Sequence, residues 1–118
     1  MKNLTSILLL FIGFTYNVNA QKVKTVALEQ TPGEFTQKKI ILSEGDYIFE
    51  IANNGVEHNV GFVLAPKSDI KNHIKNAYVT KPVANNSKST SKKVFLAKGE
   101  YVYFCPLNPT PNYTIIVE

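Results

Sequence analysis

Short runs of alternating apolar and polar residues, separated by turn-forming residues, dominate the sequence after residue 20. In the clearest run, residues 47–51, Tyr47, Phe49 and Ile51 fall on one face of a strand. Clusters rich in Gly, Asn, Asp and Ser flank this run at 43–46 and 53–55, and similar clusters recur along the chain. About seven short strands with closely spaced turns predict an antiparallel Greek-key β-sandwich.

The predicted strands lie near residues 23–28, 39–42, 47–51, 60–64, 94–96, 101–105 and 113–117. The stretch 67–90 differs from its surroundings. Ser68 is placed to cap a short helix, and Ile70 and Ile74 follow at helical spacing. Residues 85–91 are Ser-, Asn- and Lys-rich and predict an exposed loop. We therefore expect a sandwich that carries a short helical insertion.

The N-terminus predicts a signal peptide. Lys2 precedes an apolar stretch at 4–14, and Val18-Asn19-Ala20 offers the small residues that a signal peptidase requires. The stretch falls short of the roughly 20 residues that span a bilayer, so we expect no stable membrane anchor. Residues 1–20 are thus predicted to be the signal peptide, and residues 21–118 a single domain in the periplasm or outside the cell.

Export predicts a defined mature terminus. Cleavage between Ala20 and Gln21 should give an exported protein whose intact mass matches a chain that starts at Gln21. A mass that still includes Met1 would contradict this prediction.

The charge of the predicted mature chain excludes some partners. Its 12 Lys and 9 acidic residues give a net charge of +3, and the sequence has no Arg. Proteins that bind nucleic acid rely on Arg for bidentate contacts with phosphate and guanine, so a nucleic-acid role is disfavoured. The Lys excess favours encounter with an acidic redox partner protein. We expect the protein to be a monomer.

Cys105, at the end of the run 101–105, is the sole cysteine of the chain. It cannot form an internal disulfide, and an exposed thiol would be oxidised outside the cytoplasm, so we expect it to be buried or bound to metal. His58 begins another strand-like run. A thiolate and an imidazole from separate strands suit copper. The alternatives are a buried apolar Cys105 and a His58 imidazole bonded to a backbone carbonyl.

The runs 45–49 (GDYIF), 53–59 (NNGVEHN) and 99–106 (GEYVYFCP) resemble those of the cupredoxins, the plastocyanin-like blue-copper family. His58 and Cys105 are 47 residues apart, as in small plastocyanin-like chains. The resemblance covers most of residues 34–118. It implies a cupredoxin-like sandwich, copper as cofactor, His58 and Cys105 as ligands, and electron transfer as function.

The sequence departs from the family pattern after Cys105. Cupredoxins have a His within a few residues of the cysteine and usually a Met after it. Here Asn108 and Tyr113 stand at those positions, and no Met follows Met1. Asn108 and His73 are additional ligand candidates, although His73 is also explained as a solvated helix residue.

Three functions remain open. The first is copper binding, with electron transfer, through a degenerate type 1 site. The second is a binding or structural module on the same fold whose metal site has decayed, and the third is a thiol-based redox protein. Since the sequence has no CxxC motif, Gly-rich phosphate loop or paired-carboxylate signature, we do not expect an enzyme.

Overall fold

The computed structural model describes residues 22–118, so the predicted signal peptide lies outside the described residues. Nine strands follow one another along this part of the chain. They are β1 (Val23–Thr31), β2 (Glu34–Phe35), β3 (Lys39–Leu42), β4 (Gly45–Asn53), β5 (Val63–Pro66), β6 (Lys88–Thr90), β7 (Val94–Leu96), β8 (Gly99–Phe104) and β9 (Tyr113–Val117).

The strands form two sheets packed face to face. The first sheet has the order β2-β1-β4-β6, with β7 also paired to β4, and the second has the order β3-β9-β8-β5. The predicted β-sandwich is therefore confirmed. Both sheets are mixed rather than purely antiparallel, because β1 pairs with β4 in parallel and β3 pairs with β9 in parallel.

Aromatic side chains join the two sheets. Phe35 on β2 packs edge-on against Tyr103 on β8 and Tyr113 on β9, with ring centroids 5.0 and 5.7 Å apart. Phe62 contacts Phe35 and Phe49 in the same cluster. Strand alternation explains this core, because the predicted inward residues of the run 47–51 are all buried.

The stretch 67–90 differs from its prediction. The expected helix is reduced to one 3₁₀ turn, Lys75–Ala77, and Ile74 and Tyr78 on either side of it are extended. The predicted loop at 85–91 contains β6, whose Ser89 is buried and pairs with Ile51. The residues of this edge strand are polar, so the sequence shows no alternation of apolar and polar residues that would predict a strand there.

No helix within residues 22–118 has the length and apolar character needed to cross a membrane.

Candidate metal centre

Cys105 follows directly after β8, at the start of the loop that leads to β9. Its side chain is buried, with 1% of its surface exposed. Two backbone amides donate hydrogen bonds to its Sγ atom, that of Gly61 at 3.4 Å and that of Asn108 at 3.3 Å. Both amides are directed at the sulfur, so Sγ serves as a hydrogen-bond acceptor for two separate chain segments.

The side chain of Asn108 is also buried and fully bonded. Its Nδ2 donates to the Thr31 carbonyl at 2.9 Å and to Gln30 Oε1 at 3.1 Å. Its Oδ1 accepts from the Gly33 amide at 2.7 Å. The amide thus ties the loop after Cys105 to the end of β1, and it would have to break these bonds to bind a metal.

Gln30 closes a ring of hydrogen bonds around the thiol. Its side chain is completely buried, and Nε2 donates to the Gly61 carbonyl at 2.7 Å. The ring runs from Gly61 to Cys105, Asn108, Gln30 and back to Gly61. We call these four residues the thiol ring. It joins three chain segments and fixes the surroundings of Sγ.

His58 lies three residues before Gly61, on the segment that reaches Cys105. Its imidazole is exposed, and Nδ1 lies 3.0 Å from the carbonyl oxygen of Asn59. When Nδ1 donates this hydrogen bond, Nε2 carries the lone pair that a metal would use. The backbone of His58 is held separately, because its carbonyl accepts from Asn53 Nδ2 at 2.9 Å.

His73 contacts the strand that leads to Cys105, but on its other face. Its ring packs edge-on against Phe104 at 6.1 Å, and Nδ1 lies 2.8 Å from the Tyr78 hydroxyl. Tyr103 and Cys105 belong to the buried core cluster, whereas Phe104 between them does not. Since neighbouring residues on a strand point to opposite faces, His73 is separated from the Cys105 side.

The surroundings of β8 are anchored by two further bonds. The Cys105 amide donates to Thr110 Oγ1 at 3.0 Å, which shapes the loop. The Tyr103 hydroxyl donates to the Gln37 carbonyl. Burial, with a smaller contribution from Tyr113, raises the pKa of Tyr103 to about 12, so its hydroxyl keeps the donated proton at neutral pH.

Of the residues singled out from the sequence, Cys105 and Asn108 come together, and the His58 segment reaches Cys105 through the Gly61 amide. Within residues 22–118, no group of three or more His, Cys, Asp or Glu side chains is placed to hold a metal. Sequence reasoning missed Gln30 and Gly61. Gln30 occupies an inward position of β1, where a polar residue is a signal of buried hydrogen bonding.

No protein-family model and no curated protein matches the sequence, but solved structures match the fold. Auracyanin A, a "blue" copper protein from Chloroflexus aurantiacus, superposes with a TM-score of 0.63 at 13% identity over 82% of this chain and 100% of its own. Reduced auracyanin from Roseiflexus castenholzii gives 0.61 at 14% identity over 80% and 96%. An azurin from Methylomonas sp. strain J gives 0.56 at 17% identity over 80% and 97%.

These similar structures share one architecture. The chain has the cupredoxin fold. The resemblance noted from the sequence is thereby confirmed at the level of fold, and identities of this size carry it no further. Within this cupredoxin fold, the thiol ring surrounds the Cys105 sulfur.

Proposed function

We propose that this cupredoxin-fold protein is exported and binds copper, preferentially as Cu(I), with Cys105 and His58 as its protein ligands. The observation that carries the proposal is the pair of backbone amides directed at the buried Cys105 Sγ. A sulfur that is only a small apolar side chain has no need of two such donors. The proposal also draws support from auracyanin A, a similar structure described as a "blue" copper protein.

The donor set decides which copper ion fits. A thiolate with few harder ligands suits Cu(I), whereas Cu(II) in a type 1 site requires two imidazoles and a thiolate in one plane. Asn108 offers no imidazole, and its amide is occupied by three hydrogen bonds. We therefore expect a copper protein without the intense, stable blue colour of a Cu(II) type 1 centre.

The roles of the two ligands differ. Cys105 would hold the metal through a thiolate that the thiol ring keeps in place. His58 would supply Nε2 from an exposed ring. Copper and a partner protein would therefore approach the site on the His58 side. Bound copper would supply one-electron redox chemistry, and we propose that copper handling or electron transfer to an acidic redox partner is the function, rather than catalysis.

A metal-free binding or structural module is the second candidate. One observation favours it: the side chains of Asn108 and Gln30 are completely hydrogen-bonded. Through these bonds the thiol ring already joins the chain segments that a bound metal would join. On this alternative, the ring alone stabilises the end of the sandwich.

Copper titration separates the two candidates. Cu(I) should be added to the mature protein in competition with a chromophoric Cu(I) chelator. Loss of an outer-shell partner costs about 10- to 100-fold in metal affinity, so loss of the thiolate in Cys105→Ser should cost more than about 100-fold. His58→Ala should cost at least about tenfold, and His73→Ala, the matched control, should bind like the wild type.

Three outcomes would overturn the proposal. Equal binding by wild type and Cys105→Ser, or no binding by the wild type, would leave the metal-free module standing. A stable, intensely blue Cu(II) form would instead mean that a further imidazole binds, and the His73→Ala variant would then lose the colour.

A further inference from the structure

The charges of the chain are divided unevenly. Residues 70–99 contain seven Lys and no Asp or Glu, and all seven side chains are exposed. We call this stretch the basic segment. The rest of the predicted mature chain holds five Lys and nine acidic residues. The basic segment therefore has a net charge of +7, and the rest has a net charge of −4. A charge asymmetry of this kind marks an electrostatic interaction surface.

Backbone pairing brings the two halves of the basic segment together. Val79 bridges Ser91 in antiparallel orientation, and the Thr80 amide donates to the Thr90 carbonyl at 2.9 Å. Residues 78–82 therefore run beside residues 88–92. Lys81 lies on the first stretch, and Lys88 and Lys92 lie on the second, so their charges share one region of the surface.

An apolar groove of about 330 Å³ opens in this region. It is lined by residues 60–63 and 78–82 and by Pro106 and Leu107. We call it the insertion groove, because the stretch 78–82 forms one wall. Val60 and Phe62 are buried at its base, whereas 56% of Leu107 and 40% of Tyr78 are exposed. Lys81 is the charged residue among those that line it.

The insertion groove adjoins the thiol ring. Leu107 is two residues from Cys105, and Gly61, whose amide donates to Sγ, also lines the groove. A molecule seated in the groove would therefore contact the segments that surround the thiol.

We propose that the insertion groove and the basic segment form a docking surface for an acidic protein partner that inserts an apolar side chain. The volume is at the lower end of ordinary binding pockets, which suits one or two side chains rather than a cofactor. The apolar base supplies affinity when it is desolvated, and the lysines attract and orient a partner of opposite charge. Two copies of the basic segment repel each other, so a symmetric dimer that buries this surface on both copies is disfavoured.

The test uses the copper-free mature protein, so it stands independently of copper binding. An isotope-labelled sample is titrated with a peptide of Asp and Glu residues around one central Phe, and NMR shift changes are mapped. We expect changes at residues 60–63, 78–82 and 106–107. Affinity should fall several-fold as NaCl rises from about 20 to about 200 mM, because salt screens exposed charges.

Matched variants separate the apolar and electrostatic parts. Leu107→Ser should weaken peptide binding about tenfold, the loss that corresponds to one apolar contact of about 1.4 kcal/mol. Ile41→Ser changes an equally exposed residue, 58% exposed on β3, and should have no effect. Lys81→Glu with Lys88→Glu should weaken binding, whereas Lys22→Glu with Lys24→Glu should weaken it less. A peptide with Ser in place of Phe should bind at least tenfold more weakly.

Several results would overturn the proposal. These are shift changes away from the groove, equal binding by wild type and Leu107→Ser, or equal binding of the Phe and Ser peptides. Concentration-dependent shifts in the groove without peptide would show that a second copy occupies it. Binding to phosphatidylglycerol vesicles without binding to the peptide would assign the surface to an anionic membrane. A protein that docks the peptide but binds no copper would leave this proposal intact and refute the proposed function alone.

Discussion

Replacing Phe35 with Ala should lower the free energy of unfolding by about 3–5 kcal/mol, the usual cost of removing a buried aromatic ring. Phe35 has no exposed surface, and its ring contacts Phe62, Tyr103 and Tyr113. Since these partners include residues of the opposite sheet, the cavity would form between the two sheets. For a domain of this size the midpoint of thermal unfolding should fall by about 15–30 °C.

Phe95→Ala is the matched control for this prediction. Phe95 is also an aromatic residue on a short strand, but 62% of its side chain is exposed. Its replacement should change the free energy of unfolding by no more than about 0.5 kcal/mol. Circular dichroism melts of both variants measure the difference. Similar midpoints for the two would contradict the role assigned to Phe35.

Asn108→Ala should lower the free energy of unfolding by about 2–4 kcal/mol and expose Cys105 to reagents. The substitution removes three hydrogen bonds, to Gly33, Gln30 and Thr31, and leaves one buried and two partly buried polar groups without these partners. Each such group costs about 1–3 kcal/mol. Because the thiol ring is opened, Cys105 should react faster with a thiol reagent under native conditions than it does in Phe35→Ala, which loses a similar free energy of unfolding but keeps the thiol ring.

Asn112→Ala in the same loop is its control. Asn112 is exposed, whereas Asn108 is 4% exposed. The control should melt like the wild type and keep the slow thiol reaction. If Asn108→Ala also kept both properties, the thiol ring would not be what holds the loop.

Strand alternation made much of the sandwich predictable. The runs at 39–42, 94–96 and 113–117 coincide with β3, β7 and β9, where more exposed and less exposed residues alternate. The sequence could not predict which strands pair in parallel, since pairing depends on residues far apart in the chain. The helix predicted from Ser68, Ile70 and Ile74 was wrong, and only one helical turn forms. The Ile74 amide donates to the Leu64 carbonyl instead of to a carbonyl within the predicted helix.

The candidate site was predictable only in part. Cys105 and His58 stand out by chemistry and by family resemblance, and the burial of Cys105 agrees with the expectation. The hydrogen bonds of Asn108 were not predictable, because its partners at 30–33 lie more than 70 residues away. Copper binding, the ligand roles of His58 and Cys105, and the signal peptide stay predictions.

The position of β9 has a consequence for synthesis. This strand lies inside its sheet, between β3 and β8, yet it is the last of the described strands to be synthesised. Until residues 113–117 emerge, β3 has no neighbour in that sheet and Tyr113 is missing from the core. The sandwich therefore cannot be completed before residue 117 has been synthesised. A chain whose sandwich is still incomplete remains competent to cross a membrane in extended form, which suits the export that we propose.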